Sequence, residues 1–205
     1  VQKFNLPSSF RKAEDEIKKM ADICSQINCK SIILCPNNDK QDKRSAEEFI
    51  SDTAEALILY APVFREAGIT GLVEPLGFGE CSIRGKKAAI EAISRSGCSD
   101  LYMVVHDTFH HYLGTDSDYY PAQTGLIHIS GVEANIPDQE MRDCHRVLVT
   151  AKDRIGNKKQ INDLESKGYR GIISFEPFSG DIQKLDKKKL SDEISASVRF
   201  IINQA

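Results

Sequence analysis

Short, wholly apolar runs alternate along this chain with longer stretches whose apolar residues recur every three or four positions. Residues 31–35 (Ser-Ile-Ile-Leu-Cys) are closed by Pro36 and two asparagines, the pattern of a strand buried on both faces. Gly71-Leu72-Val73, residues 101–105, Gly125-Leu126-Ile127 and residues 171–175 read the same way, and residues 1–5 have strand character. The intervening stretches have helical periodicity. One helix follows Ser8 and Ser9, its candidate N-caps, with Ala13, Ile17, Met20, Ala21, Cys24 and Ile27 on one face. A second runs from about Ser45 with Phe49, Thr53, Leu57, Tyr60 and Phe64 on one stripe, and Pro62 inside it should kink or divide it. A third covers residues 86–96 and is closed by Gly97. The last carries Leu190, Ile194, Val198, Ile201 and Ile202, with Lys187-Lys188-Lys189 as a solvated face near its start.

Strand–helix alternation with short apolar strands predicts an α/β protein built on a parallel sheet. The open doubly wound sheet and the closed barrel compete for this pattern. A dinucleotide site needs GxGxxG after a strand, but Gly77-Phe78-Gly79-Glu80-Cys81-Ser82 lacks the third glycine and puts a carboxylate in the loop. No phosphate-cradling P-loop occurs. The 205 residues fit one domain, 1–205. The balance of 27 Lys+Arg against 30 Asp+Glu argues against nucleic acid as a partner. No apolar run approaches the roughly 20 residues of a membrane span, and there is no signal peptide, so a cytoplasmic protein without a membrane partner is expected. The six cysteines form no CxxC pair and read as buried or half-buried free thiols of a reducing compartment. Cys24 and Cys29 are spaced CxxxxC, but no histidine or second pair completes a zinc set. The chain begins at Val1 rather than Met, which suggests that an N-terminal piece precedes it.

A polar residue stands at the end of successive strands: Glu74 after Gly-Leu-Val, Asp107 after Met-Val-Val-His, His128 after Gly-Leu-Ile and Glu176 after Ile-Ile-Ser-Phe. In a parallel barrel those ends share one rim, where such enzymes hold their sites. An ionisable group capping a buried strand is costly unless something pairs it. Four converging groups, three oxygen donors and one nitrogen donor, form a ligand set for Mn²⁺, Mg²⁺, Co²⁺ or Zn²⁺.

The segments Val73-Glu74-Pro75-Leu76-Gly77, His106-Asp107-Thr108-Phe109-His110, Ile127-His128-Ile129 and Ser174-Phe175-Glu176-Pro177-Phe178 resemble the xylose-isomerase-like TIM-barrel superfamily of sugar isomerases and epimerases. Within it the chain looks most like the 2-keto-myo-inositol (inosose) isomerases of inositol catabolism. The resemblance implies a (β/α)8 TIM barrel with the first two βα units absent, so six of eight strands, with residues 1–5 as the tail of the third. It implies one divalent metal ion, Mn²⁺ first among the four, on Glu74, Asp107, His128 and Glu176. Glu74 and Glu176 would double as catalytic acid–base groups, and His110, Arg146 and Glu80 would contact the substrate. The implied reaction moves a ketone to the adjacent carbon of a cyclic polyol through an enediolate. A ketose 3-epimerase or an inosose dehydratase would use the same metal site. Two remoter readings are an endonuclease IV-like repair enzyme, which shares Asp107-Thr108-Phe109-His110, and a non-catalytic sugar-binding barrel. The implied partner is a small polyol ketone or ketose, with a homo-oligomer as a further expectation. Asn157 after Gly156 departs from the pattern of relatives, which often have a second glycine there.

Overall fold

The computed structural model describes residues 1–114 and 116–202. Five strands, β1 (Ser31–Leu34), β2 (Thr70–Val73), β3 (Tyr102–Asp107), β4 (Thr124–Ile129) and β5 (Ile172–Phe175), lie in sequence order in one sheet. Each pairs in parallel with the next. Helices α1 (Phe10–Ile27), α2 (Ala46–Ala67) and α3 (Lys86–Ser96) precede β1, β2 and β3. The short α4 (Thr108–Leu113) follows β3, α5 (Asn157–Ser166) leads to β5, and α6 (Gly180–Gln183) and α7 (Lys187–Ile202) follow it. This is the wall of a TIM barrel over five strands, and every strand points its C-terminal end to the same rim.

Residues 1–5 make a bridge rather than a sixth strand. Gln2 pairs with Cys35, and Val1 donates to the Ile33 carbonyl and accepts from Cys35 N–H. The chain then turns at Lys3, whose φ is +54°, and pairing stops. The main core fills the space between α1, α2 and β1–β3, with Phe4, Ile17, Leu34, Leu57, Tyr60 and Phe64 at its centre. A second cluster joins β4 to α5 through Ile127, Ile129, Ile161 and Leu164, and a third, around Phe78, Phe109 and Met141, is built from the segments that follow β2, β3 and β4. Among the described residues, no helix is long and apolar enough to cross a membrane.

Several local expectations change. Ser9 stands at the N-cap of α1 but makes no capping bond, because a 3-10 turn over Pro7–Ser9 already puts its backbone in the helical region. Met20 and Ile27 of α1 are exposed, while Ala13, Ile17, Ala21 and Cys24 are buried. Pro62 does not divide α2. It lies on the solvent side, and the carbonyl it leaves unpaired belongs to Ile58, itself exposed and open to water. Helix α2 starts where expected, with Ser45 as its N-cap; Gly97 closes α3 at φ +68°, and Lys187, Lys188 and Lys189 are exposed. All six cysteines are free, but Cys144 is exposed rather than half-buried.

Candidate metal centre

Each strand end delivers one group to a common point. Glu74 follows β2, and its N–H is held by the Leu34 carbonyl at 3.0 Å. Asp107 ends β3 and caps α4, its Oδ1 accepting the His110 N–H at 2.9 Å. His128 lies on β4 opposite Asp107, and Glu176 follows β5 with its N–H on the Ile129 carbonyl at 2.9 Å. One ligand atom from each of the four lies within 4.8 Å of the others. Glu74, Asp107 and His128 are buried and Glu176 is half-buried, so the cluster opens on the Glu176 side.

His128 Nδ1 is 2.8 Å from Glu74 Oε1 and 3.2 Å from Glu176 Oε2. Burial works against a charged imidazole here, but the bonds to Glu176 and Glu74 outweigh it and push the His128 pKa up to about 10. Burial also raises the Glu176 carboxyl, helped by the negative charges of Glu74 and Asp107 and opposed by His128. Burial would raise Asp107 too, yet Arg146, His110 and the His110 amide hold it well below the usual carboxylate range.

Arg146, 1% exposed, is the fifth member of the cluster. Its Nη2 donates to Asp107 Oδ2 and, at 2.8 Å, to Glu176 Oε2; Nε donates to Ser130 Oγ at 2.9 Å and Nη1 to Asp143 at 3.2 Å. Phe109 and Phe178 flank the guanidinium at 5.1 and 4.9 Å. Three carboxylates thus face one fixed cation and one imidazole that carries a proton between two of them. The donor set is that of a divalent ion: it can take the place of that proton and be held by Glu74, Asp107, His128 and Glu176.

The other expected residues are distributed around this centre. His110 is buried beside it, its Nδ1 accepting the Gly77 N–H at 3.3 Å, with Phe78 edge-on at 5.1 Å. That contact depends on glycine, because a Cβ at position 77 would stand 2.3 Å from the His110 carbonyl oxygen. Glu80 is half-buried in a neighbouring cleft of about 400 Å³, lined also by Phe78, Tyr112, Asp138 and Arg142. Cys35 lies closer to the centre, its thiol donating to Glu74 Oε2 at 3.7 Å.

Sequence reasoning missed what supports these groups. Ser130 and Asp143 fix Arg146, and Asn157 ties Thr108 Oγ1 to the Ser130 carbonyl. Behind β3 the buried Lys86 reaches His106 Nδ1 at 2.6 Å and the Tyr119 carbonyl at 2.7 Å, while His106 Nε2 meets Gln160 at 2.9 Å. His106, His111 and His145 stay outside the cluster.

The sequence of the chain matches the Xylose isomerase-like TIM barrel family over residues 4–204. It is 23% identical over 200 residues to an inosose isomerase of Bacillus velezensis, covering 95% of this chain and 70% of that protein. A xylose isomerase domain-containing protein of Salmonella typhimurium superposes with a TM-score of 0.87 at 30% identity, over 98% of this chain and 72% of its own. The IolI protein, solved with a bound zinc atom, superposes with a TM-score of 0.85 at 19% identity, over 96% of this chain and 71% of its own. With strand order, rim chemistry and sequence in agreement, the chain belongs to the Xylose isomerase-like TIM barrel family.

Proposed function

We propose that the protein is a sugar or polyol isomerase that moves a ketone to the adjacent carbon of a cyclic polyol, with 2-keto-myo-inositol as the substrate to test first. The observation that carries this reading is the placement of Glu74 and Glu176 on either side of one point, both within 3.2 Å of His128 Nδ1. Two carboxylates so placed suit a reaction that removes a proton from one carbon and returns one to its neighbour. A divalent ion on Glu74, Asp107, His128 and Glu176, Mn²⁺ first among Mn²⁺, Mg²⁺, Co²⁺ and Zn²⁺, would supply Lewis acidity at the ketone oxygen and the adjacent hydroxyl.

Glu176 is assigned the removal of the α-proton. It is the half-buried member of the cluster and stands at its open side, where the α-carbon of a substrate can approach it. Loss of that proton turns the ketone and the neighbouring carbinol into an enediolate. A proton returned to the former carbonyl carbon, from Glu176 or Glu74, leaves the carbonyl one position along. The hydroxyl hydrogen crosses between the two oxygens, a transfer assigned to His110, whose Nδ1 is engaged by Gly77 and whose Nε2 therefore carries the hydrogen. Arg146 holds Asp107 and Glu176 in place and is assigned a substrate oxygen as well; Glu80 is assigned a peripheral hydroxyl from the cleft.

The test is proton NMR of 2-keto-myo-inositol in D₂O with Mg²⁺-loaded protein, beside Glu176→Gln. A new ketone isomer carrying deuterium at the migration site, with the variant silent, is the expected result. Deuterium without a new isomer would move the reading to an epimerase, an unsaturated product to a dehydratase, and no exchange by folded, loaded protein would overturn it.

A further inference from the structure

Cys24 and Cys29 share one helix cap. Asn28, just past α1, takes the left-handed conformation (φ 56°, ψ 33°), and its N–H goes to the Cys24 carbonyl. The Cys29 N–H is donated to the same carbonyl at 2.9 Å. In caps of this kind the side chain of the carbonyl residue meets that of the residue after the left-handed one, ordinarily as an apolar contact. Here both side chains are thiols. Cys24 is buried in the main core, whereas Cys29 is half-buried, packs against the same core and donates its thiol to the Ser31 carbonyl at 3.4 Å. Burial, and after it the adjoining Cys29 thiol, raise the Cys24 pKa above the usual thiol value. Among the described residues the group of metal-competent side chains lies at the rim and includes neither cysteine, so a metal would lack donors here. A disulfide needs only the two sulfurs.

We propose that Cys24 and Cys29 form a dithiol site which a hydroperoxide converts, in the folded protein, into a reversible disulfide across the α1–β1 turn. Cys29, the more accessible thiol, reacts first. Its thiolate attacks one peroxide oxygen, the O–O bond breaks, and Cys29 sulfenic acid and hydroxide form. Cys24 gives up its proton and attacks the Cys29 sulfur; the S–S bond forms, the S–O bond breaks and water leaves. Two thiols and one hydrogen peroxide yield one disulfide and two waters, with two electrons passing from sulfur to oxygen. Left-handed Asn28 has already folded the chain back, so closure requires no unfolding of α1. The turn precedes β1 at Ser31, at the opposite end of the strands from Glu74, and this chemistry is independent of the metal centre.

The experiment treats the natively folded full chain with graded hydrogen peroxide, blocks remaining thiols with N-ethylmaleimide after denaturation, and maps tryptic peptides. Residues 20–30 form one peptide holding Cys24 and Cys29 and no other cysteine. The expected result is loss of two hydrogens from that peptide, no maleimide on it, a rate that rises with pH, and reversal by dithiothreitol. Cys29→Ser should leave Cys24 fully labelled, and Cys24→Ser should leave a Cys29 sulfenic acid that dimedone captures. Full labelling of both thiols at doses that oxidise the exposed Cys144 would overturn the proposal. So would a Cys29 link to another cysteine, or a bond that forms only in denatured protein.

Discussion

Arg146 carries an unusual electrostatic load for one side chain. It is fully buried and pairs with three carboxylates, two of them, Asp107 and Glu176, in the rim cluster. Removing one partner of a buried ion pair leaves the other charged and desolvated, at a cost of about 3–5 kcal/mol. Arg146→Met is therefore expected to lose stability of that order in urea unfolding, and a divalent ion should restore part of it by supplying the missing positive charge. Lys86 poses the converse problem. Burial, opposed by the charges of Asp116 and Asp118, lowers its pKa from 10.5 to about 7; it bonds to His106 and the Tyr119 carbonyl and lies over the rings of Tyr119 and Tyr120. Between these values the unfolded chain binds more protons than the folded one, so this residue makes stability rise with pH from about 7 towards 10.5. His128, with its raised pKa, acts in the opposite sense in metal-free protein. The Lys86 contribution is thus read as the difference between wild type and Lys86→Met in unfolding measured across that window. A difference that does not change with pH would show Lys86 to be unperturbed.

At the scale of elements, short-range rules account for most of what is observed. Ser45 and Glu48 close a capping box on α2, Glu48 N–H to Ser45 Oγ at 3.2 Å and Ser45 N–H to Glu48 Oε2 at 2.6 Å. Ser45→Ala should cost about 1 kcal/mol of unfolding free energy, a loss that Ser45→Asp should largely avoid. Helical periodicity located α1 and α7 but overstated the width of their buried faces. In α1 the covered line runs through Ala13, Ile17, Ala21 and Cys24, where α2 and β1 approach. In α7 Ser197 is buried, with its hydroxyl on the Val149 carbonyl, whereas Val198 and Ile202 are exposed. A hydrophobic stripe reports which face can be buried; the neighbouring element decides how much of it is. Helices α4, α5 and α6 were not legible: α4 and α6 are too short for an apolar repeat, and in α5 the buried apolar residues are Ile161 and Leu164 alone.

The whole molecule places four charged or polar strand ends on one rim, and that placement would couple the proposed metal to protons and stability. An ion that binds only the folded chain stabilises it by about 2.7 kcal/mol when free metal is 100 times the dissociation constant. The ion must displace the proton that His128 holds up to about pH 10. Affinity should therefore weaken about tenfold for each pH unit below that value, with one proton released per ion. Titration calorimetry in buffers of different ionisation enthalpy measures that proton directly, and binding without proton release would contradict the assigned His128 charge.

The sequence by itself determined the alternation of strand and helix, a parallel sheet, and Glu74, Asp107, His128 and Glu176 as groups at the strand ends, while the choice of a barrel over an open sheet came from the family resemblance. These follow from local chemistry: short apolar runs bury on both faces, and a charged residue directly after such a run has only the strand end to occupy. Tertiary structure alone decided that residues 1–5 pair through a single bridge, that Arg146 binds two of the rim carboxylates, and that Lys86 is buried against His106. Those outcomes rest on contacts between residues 20 to 39 apart in sequence, beyond the reach of any local repeat. Burial and long-range pairing set the charge of such groups, and neither is encoded in the spacing of neighbouring residues.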